Sequence, residues 1–512
     1  MNTNSRTPVS ILMLMLLCLM AGPSLWAQKL TKDQITTLAH NKLPTATLGL
    51  KAFLQLPNDG HFPEQAKNNA LWCDSIFKTL GFQTKVLETE GIPLLFAERK
   101  FHKKAKTILF YLQIDGQPVD SAQWDQANPY SAVLKEKVNG TWQPIGFERL
   151  QNEYNPDWRI FGRSVSDSKG PAMAFISALE ILKEHKIKPQ FNVKVIMDFQ
   201  EEMGSPFLAK AVTNNKALLE ADMLFIMDGT RHVSNLPTLT FGARGIATAQ
   251  LRIFGAKQDL HSGQYGNFAP NPVFKTAQLL GSLKDENGKV LIPGFYDGIV
   301  LSEAKKSLIN SVPENRDSLI QRLGISTTDA IGNTYQEALQ YPTLNIRGMK
   351  AGWVEKEVRT IIPSEVIVEI DMRLVPESDG KRLMELLKAY IQDQGYHLVG
   401  AAPTEEERST YPKLASFDYT LGSLPFQTPM DSDIGQLLNK AIKKVFGDQV
   451  VNMQTTGGSQ PIAPFINTLD IPAVSLRIPN PDNNIHAPNE NLRIGNFLEG
   501  IITCLAVMDE RP

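Results

Sequence analysis

Cysteine is nearly missing from this chain: three in 512 residues, at positions 18, 73 and 504, with no two at the spacing of a metal-binding pair. That scarcity excludes a disulfide-built fold and a thiolate metal site. Net charge is nearly missing as well. Lys and Arg number 52 against 54 Asp and Glu, with no long basic run, which removes the electrostatic case for nucleic acid. The apolar stretch 11–20 is short for a bilayer span and no second stretch of spanning length exists, so no membrane span is expected in the mature chain. A Gly-x-Ser-x-Gly elbow is absent too, and with it the usual serine-hydrolase signature.

What is present begins with a distinct amino terminus. Arg6 precedes the apolar stretch 11–20, and Gly22-Pro23-Ser24-Leu25-Trp26-Ala27 breaks it. A basic residue, a short apolar core and a small residue before a polar start read as a secretory signal peptide over 1–27. Export, to a periplasm or outside the cell, is therefore expected. Leu17 stands where a lipoprotein signal wants a small residue before Cys18, so lipid anchoring is disfavoured. Cys73 and Cys504 then remain and read as buried apolar residues, their pairing left open.

At 512 residues the chain exceeds what one core usually fills, and two structural domains are expected. Strand-like runs at 84–87, 94–98, 107–112, 191–199, 223–227 and 473–476 alternate with helical patterns at 66–80, 172–182, 210–219 and 434–446. That alternation predicts an α/β fold, a mixed or parallel sheet flanked by helices. Runs 246–254 and 366–374 instead alternate apolar and polar residues like half-exposed antiparallel strands, and helical patterns at 272–282 and 380–394 accompany them. They predict an α+β domain, 245–415, inserted into a catalytic domain made of 28–244 and 416–512, with the last boundary at Ser416. Residues 120–155, polar and punctuated by Trp and Pro, are expected to be mostly loop.

Acidic and histidine motifs close the apolar runs: Gln113-Ile114-Asp115, Asp167-Ser168, Glu201-Glu202, Asp228-Gly229 and His486-Ala487-Pro488-Asn489-Glu490. Each has an ordinary reading. Glu201-Glu202 alone is a solvated pair, Asp228-Gly229 a turn, Asp167 a helix cap and His486 a loop histidine. Their conjunction at strand ends and a helix opening is what points to a site, because α/β folds bind ligands there. Carboxylates gathered in one place repel one another unless cations neutralise them, so a metal cluster is expected.

Asp167-Ser168-Lys169-Gly170-Pro171, Glu201-Glu202, His261-Ser262-Gly263, Arg359-Thr360-Ile361-Ile362-Pro363, Gly457-Gly458-Ser459 and His486-Ala487-Pro488-Asn489-Glu490 follow in a telling order. Order and spacing resemble the co-catalytic metallopeptidases, the family of carnosinases, bacterial dipeptidases, aminoacylases and glutamate carboxypeptidases. The likeness runs from Thr107 to Met508 and is nearest to the carnosinase and dipeptidase branch. It implies a phosphorylase/hydrolase-like catalytic domain with an inserted lid or dimerisation domain, and two divalent ions per subunit, zinc or manganese. By motif, Asp167 would bridge both ions, Glu202 and His486 would complete one site, and Asp228 with Gln113 the other. Glu201 would be the general base for a metal-bridging water, and Asp115 would orient the ligands. His261 would reach into the partner's active site in a homodimer, holding the substrate carbonyl. Gly457, Gly458 and Ser459 would line the substrate carboxylate.

Two departures bear on that implication. The family has a histidine where Gln113 stands, and an amide oxygen suits zinc less well than imidazole, favouring harder ions or a weaker site. The family also has an arginine and an acid where Thr455 and Thr456 precede the double glycine. A guanidinium for a free carboxylate must then come from elsewhere, and Arg347 is the candidate chosen, with Arg373 the other. The resemblance implies a hydrolase of amide bonds, a dipeptidase or other exopeptidase acting on a small peptide. An N-acyl amino acid deacylase of the same fold is the first alternative; a non-catalytic peptide-binding protein, suggested by Gln113, is the second.

Overall fold

Eight strands form the central sheet, in the order Gln83–Leu87, Leu94–Arg99, Asn192–Asp198, Thr107–Gln113, Met223–Ile226, Ala473–Arg477, Thr238–Thr240 and Val451–Met453. The computed structural model describes residues 29–512, so the signal-peptide reading of 1–27 lies outside the described residues. Four neighbouring strands, Asn192–Asp198, Thr107–Gln113, Met223–Ile226 and Ala473–Arg477, run parallel. Their interiors are mostly apolar because both faces are covered. Successive side chains point to opposite faces. Ile108, Phe110 and Leu112 therefore join the larger core beneath helices Lys32–Leu54, Lys169–Glu184, Asp433–Phe446 and Ile494–Asp509. Leu109 and Tyr111 join the smaller core beneath Leu208–Asn214 and Ala463–Leu469.

Two helical stretches run against their local sequence signals. Lys32–Leu54 carries Pro44 in its interior, a breaker signal in sequence. It forms because Ile35, Ala39, Leu43, Leu50 and Phe53 make a buried stripe, and because Thr31 and Gln34 close a capping box. The single helix expected over 210–219 is two short ones, Leu208–Asn214 and Lys216–Leu219, parted at Asn215. The expectation of loop over 120–155 is corrected as well. This stretch contains the hairpin Val133–Val138 with Thr141–Ile145, which joins Arg159–Phe161 and Asn491–Arg493 in a four-stranded sheet. Asn139 and Gly140 turn it, both at positive φ (49° and 84°), a hairpin signal in plain view.

The inserted unit is a five-stranded sheet ordered Asn345–Lys350, Glu365–Leu374, Gly245–Phe254, Leu414–Leu421 and His397–Leu398. Gly245–Phe254 and Glu365–Leu374 alternate buried and half-buried residues along their length. Their inner face packs on Pro272–Leu283 and Gly380–Asp393 through Leu251, Val368, Ile370, Leu279, Leu383 and Leu387. Ser416 falls inside Leu414–Leu421, which pairs with Gly245–Phe254, so the boundary belongs after that strand. The chain returns at Phe426–Gln427, paired with Gly242–Ala243 on the way in. Both Cys73 and Cys504 are free and buried, with burial pushing each thiol well above its usual range. Among the described residues no helix is long and apolar enough to cross a membrane.

Candidate metal centre

Each of the four parallel strands delivers a polar residue at its carboxyl end. Thr107–Gln113 ends on Gln113, Asn192–Asp198 runs into Glu201 and Glu202, Met223–Ile226 into Asp228, and Ala473–Arg477 ends on Arg477. Together with Asp167 and His486 from loops, they line one cavity of about 430 Å³. Asp167, Glu202 and His486 present ligand atoms that all lie within 4.8 Å of one another. His486 Nε2 is 2.9 Å from Asp167 Oδ2 and 3.3 Å from Glu202 Oε2.

Buried carboxylates hold this geometry from behind. Glu490 accepts from the backbone N–H groups of Ser164 (2.8 Å), Ser166 (2.7 Å) and Asp167 (3.0 Å), and from Arg163 Nη1 (2.9 Å). It ties the His486 loop to the Asp167 loop. Asp115 accepts from the backbone N–H groups of Glu201 and Glu202, each at 3.0 Å, and so sets the pair at the cavity wall. Gln117 Nε2 donates to Glu202 Oε2 at 2.7 Å.

The electrostatics call for a cation. Burial, and then the neighbouring Asp228 and Asp167, lift Glu201 well above the usual carboxylate range. Burial raises Asp167, while hydrogen bonds to Asp167 and Glu202 raise His486. Against its burial, His486 holds Glu202 below its usual value. Gln113 is 1% exposed, and neither its Oε1 nor its Nε2 has a hydrogen-bond partner; Glu202 Oε1 has none either. Buried polar atoms without partners are rare, and at a convergence of carboxylates and imidazole they fit ligation of a divalent ion.

The opposite wall differs. Asp228 accepts from Ser168 Oγ and Gln460 Nε2, both at 2.8 Å. Arg477 is buried; its Nε donates to Thr240 Oγ1 at 3.2 Å and its Nη2 has no partner. The guanidinium lies against Gly229, where φ is +93° and an added Cβ would overlap it.

Gly458 and Ser459 also line the cavity. Arg373 Nη1 donates to Ser459 Oγ at 3.0 Å, and the Arg244 backbone N–H donates to the Gly458 carbonyl at 3.2 Å. Arg244 Nε reaches the Gly457 carbonyl at 3.3 Å. Arg347 stands apart from the cavity lining; it is on an outer strand of the inserted sheet, its Nη2 3.5 Å from Glu369. His261 is exposed, accepts from the Gly263 N–H at 3.1 Å, and does not line its own chain's cavity. Sequence reasoning passed over Glu490, Arg244 and Arg477 as site residues. Arg477 had the same signal as the acids, a charged residue closing a buried strand.

Residues 109–510 match the model of peptidase family M20/M25/M40. Among curated relatives, a Beta-Ala-His dipeptidase of Homo sapiens is 27% identical over 417 residues, covering 80% of this chain and 75% of that protein. A Cys-Gly metallodipeptidase of Schizosaccharomyces pombe is also 27% identical over 417 residues, covering 80% of each. The solved structure of an M20 family metallo-carboxypeptidase from Sulfolobus solfataricus superposes with a TM-score of 0.74 at 28% identity, over 91% of this chain and 98% of that one.

Proposed function

Because this chain belongs to peptidase family M20/M25/M40 and is a metallopeptidase, we propose that it is an exported dipeptidase or related exopeptidase cleaving short peptides with a free carboxyl end. The observation that carries the reading is the convergence of Asp167, Glu202 and His486 ligand atoms within 4.8 Å beside Glu201. Those three residues would hold one divalent ion, zinc or manganese. Asp228 and Gln113, sharing Asp167, would hold a second, and an amide oxygen makes that position the weaker. When bound, such ions acidify a water and polarise the scissile carbonyl.

Glu201 takes the proton of the attacking water and passes it to the departing amine. Asp115 keeps it in position by accepting from its backbone N–H. Arg373, beside Ser459 and the Gly457-Gly458 turn, supplies the guanidinium that Thr455 and Thr456 do not, and receives the substrate carboxylate. The names of the relatives, two dipeptidases and a carboxypeptidase, support the same substrate end. His261, exposed on the inserted unit, serves the partner's cavity in a homodimer. Export rests on the signal-like pattern of 1–27.

The test combines metal analysis of the 28–512 protein with turnover of a dipeptide library and of N-acetyl amino acids. Bound divalent ion with dipeptide turnover is expected. Turnover confined to N-acetyl amino acids would replace the peptidase assignment with a deacylase.

A further inference from the structure

Arg477 is the one strand-end residue of the cavity that the proposed reaction does not use. It closes the Ala473–Arg477 strand next to the strand that leads to Asp228, so the sheet register brings the two to the same wall. The side chain is deeply buried, fixed at Nε by Thr240 and seated against Gly229, the residue after Asp228. Nη2 has no partner, and the residue lines the cavity. Burial lowers its pKa from the usual guanidinium value, opposed by the charges of Asp228 and Asp167. A buried guanidinium is retained where it meets negative charge, and here that charge belongs to the carboxylates a second ion would use.

The remaining donors on this wall agree. Gln113 offers a neutral amide where an imidazole would bind more tightly, and both Asp228 oxygens already accept hydrogen bonds, from Ser168 and Gln460. We propose that Arg477 is the resident cation of the Asp228 wall, so that this chain binds one divalent ion tightly, among Asp167, Glu202 and His486, and holds a second only weakly. The inference rests on the metal reading given above and makes the two positions unequal. A divalent ion entering beside Asp228 meets a fixed positive charge that cannot be titrated away, since guanidinium stays protonated at any working pH.

Titrating Mn²⁺ or Zn²⁺ alone into metal-free protein, with elemental analysis after dialysis, tests this without reference to turnover. The wild-type protein is expected to retain one ion per chain. Arg477→Met is expected to tighten the second ion by about tenfold or more, and Arg477→Met with Gln113→His to retain two. Arg477→Lys keeps the charge and is expected to behave as wild type, while Gln113→His alone covers the case in which Arg477→Met fails to fold and is expected to tighten the second ion less than the double variant. Two equally tight ions in the wild type would overturn the proposal. So would an unchanged second-ion affinity in Arg477→Met accompanied by a raised KM for free-carboxylate peptides, which would make Arg477 a substrate contact. No ion in any variant would instead overturn the metal reading itself.

Discussion

On one side of the cavity Asp167, Glu202 and His486 bring three ionisable ligands within 4.8 Å; on the other, Asp228 stands among Gln113, Ser168, Gln460 and Arg477. The two walls share one architecture, strand ends and loops at the carboxyl edge of a parallel sheet, yet they differ in what they ask of a cation. The first wall has an excess of negative charge that its own imidazole only partly answers. The second has its carboxylate answered by two neutral donors, with a buried guanidinium lining the same cavity. Identical scaffolding thus accommodates opposite electrostatics, because a sheet decides where side chains arrive and leaves open what they are.

The largest effect expected is at the residue between the walls. Glu201→Gln should lower kcat by about three orders of magnitude while metal content stays at the wild-type value, since general-base catalysis contributes on that scale. Near-normal turnover would remove Glu201 from the reaction. Next, His486→Ala should weaken the tight ion by on the order of a hundredfold or more, whereas Asp228→Asn should leave that ion within about tenfold of wild type. Equal losses in calorimetric titrations would erase the distinction between the walls. Gln113→His should tighten zinc at the weaker position by about tenfold, and an unchanged affinity would place Gln113 outside the ligand set.

The smallest effect concerns how the first wall is held. Asp482, four residues before His486, pairs with Arg493 Nη2 at 2.8 Å and with Arg159. Against the upward push of partial burial, these two guanidinium groups keep its carboxyl well below the usual range. A depressed carboxyl contributes stability that is present above its unfolded value, about 3.9, and is lost as pH falls through the folded value. Asp482→Asn should therefore lower Tm slightly at neutral pH and flatten the loss of Tm in acid below about pH 4. A variant whose acid profile matches the wild type would show that this pairing does not anchor the His486 loop.

Most of the central sheet was legible, since continuous apolar runs such as Thr107–Gln113 and Met223–Ile226 are best buried in a sheet covered on both faces. The inserted unit was legible too, because Gly245–Phe254 and Glu365–Leu374 alternate with period two. Its exit was not: the step from Leu414–Leu421 to Phe426–Gln427 is a change of pairing partner without a change of composition. The Val133–Val138 hairpin was overlooked because Trp142 and Pro144 suggested loop, although Asn139-Gly140 marked the turn. Among site residues, the acids and His486 stood out by motif. Arg347 was chosen ahead of Arg373, since an arginine in a linear sequence gives no sign of which way its long side chain runs.

By itself the amino-acid sequence determined the alternation of strands and helices, the insertion, and the chemical kinds available at each strand end, because these depend on local periodicity and on which groups water will leave unburied. Which strand lies beside which was decided only by tertiary structure. That order brings Arg477 and Asp228 to one cavity across 249 residues of chain. Proximity between distant residues follows from sheet register and core packing, and these depend on the whole chain at once.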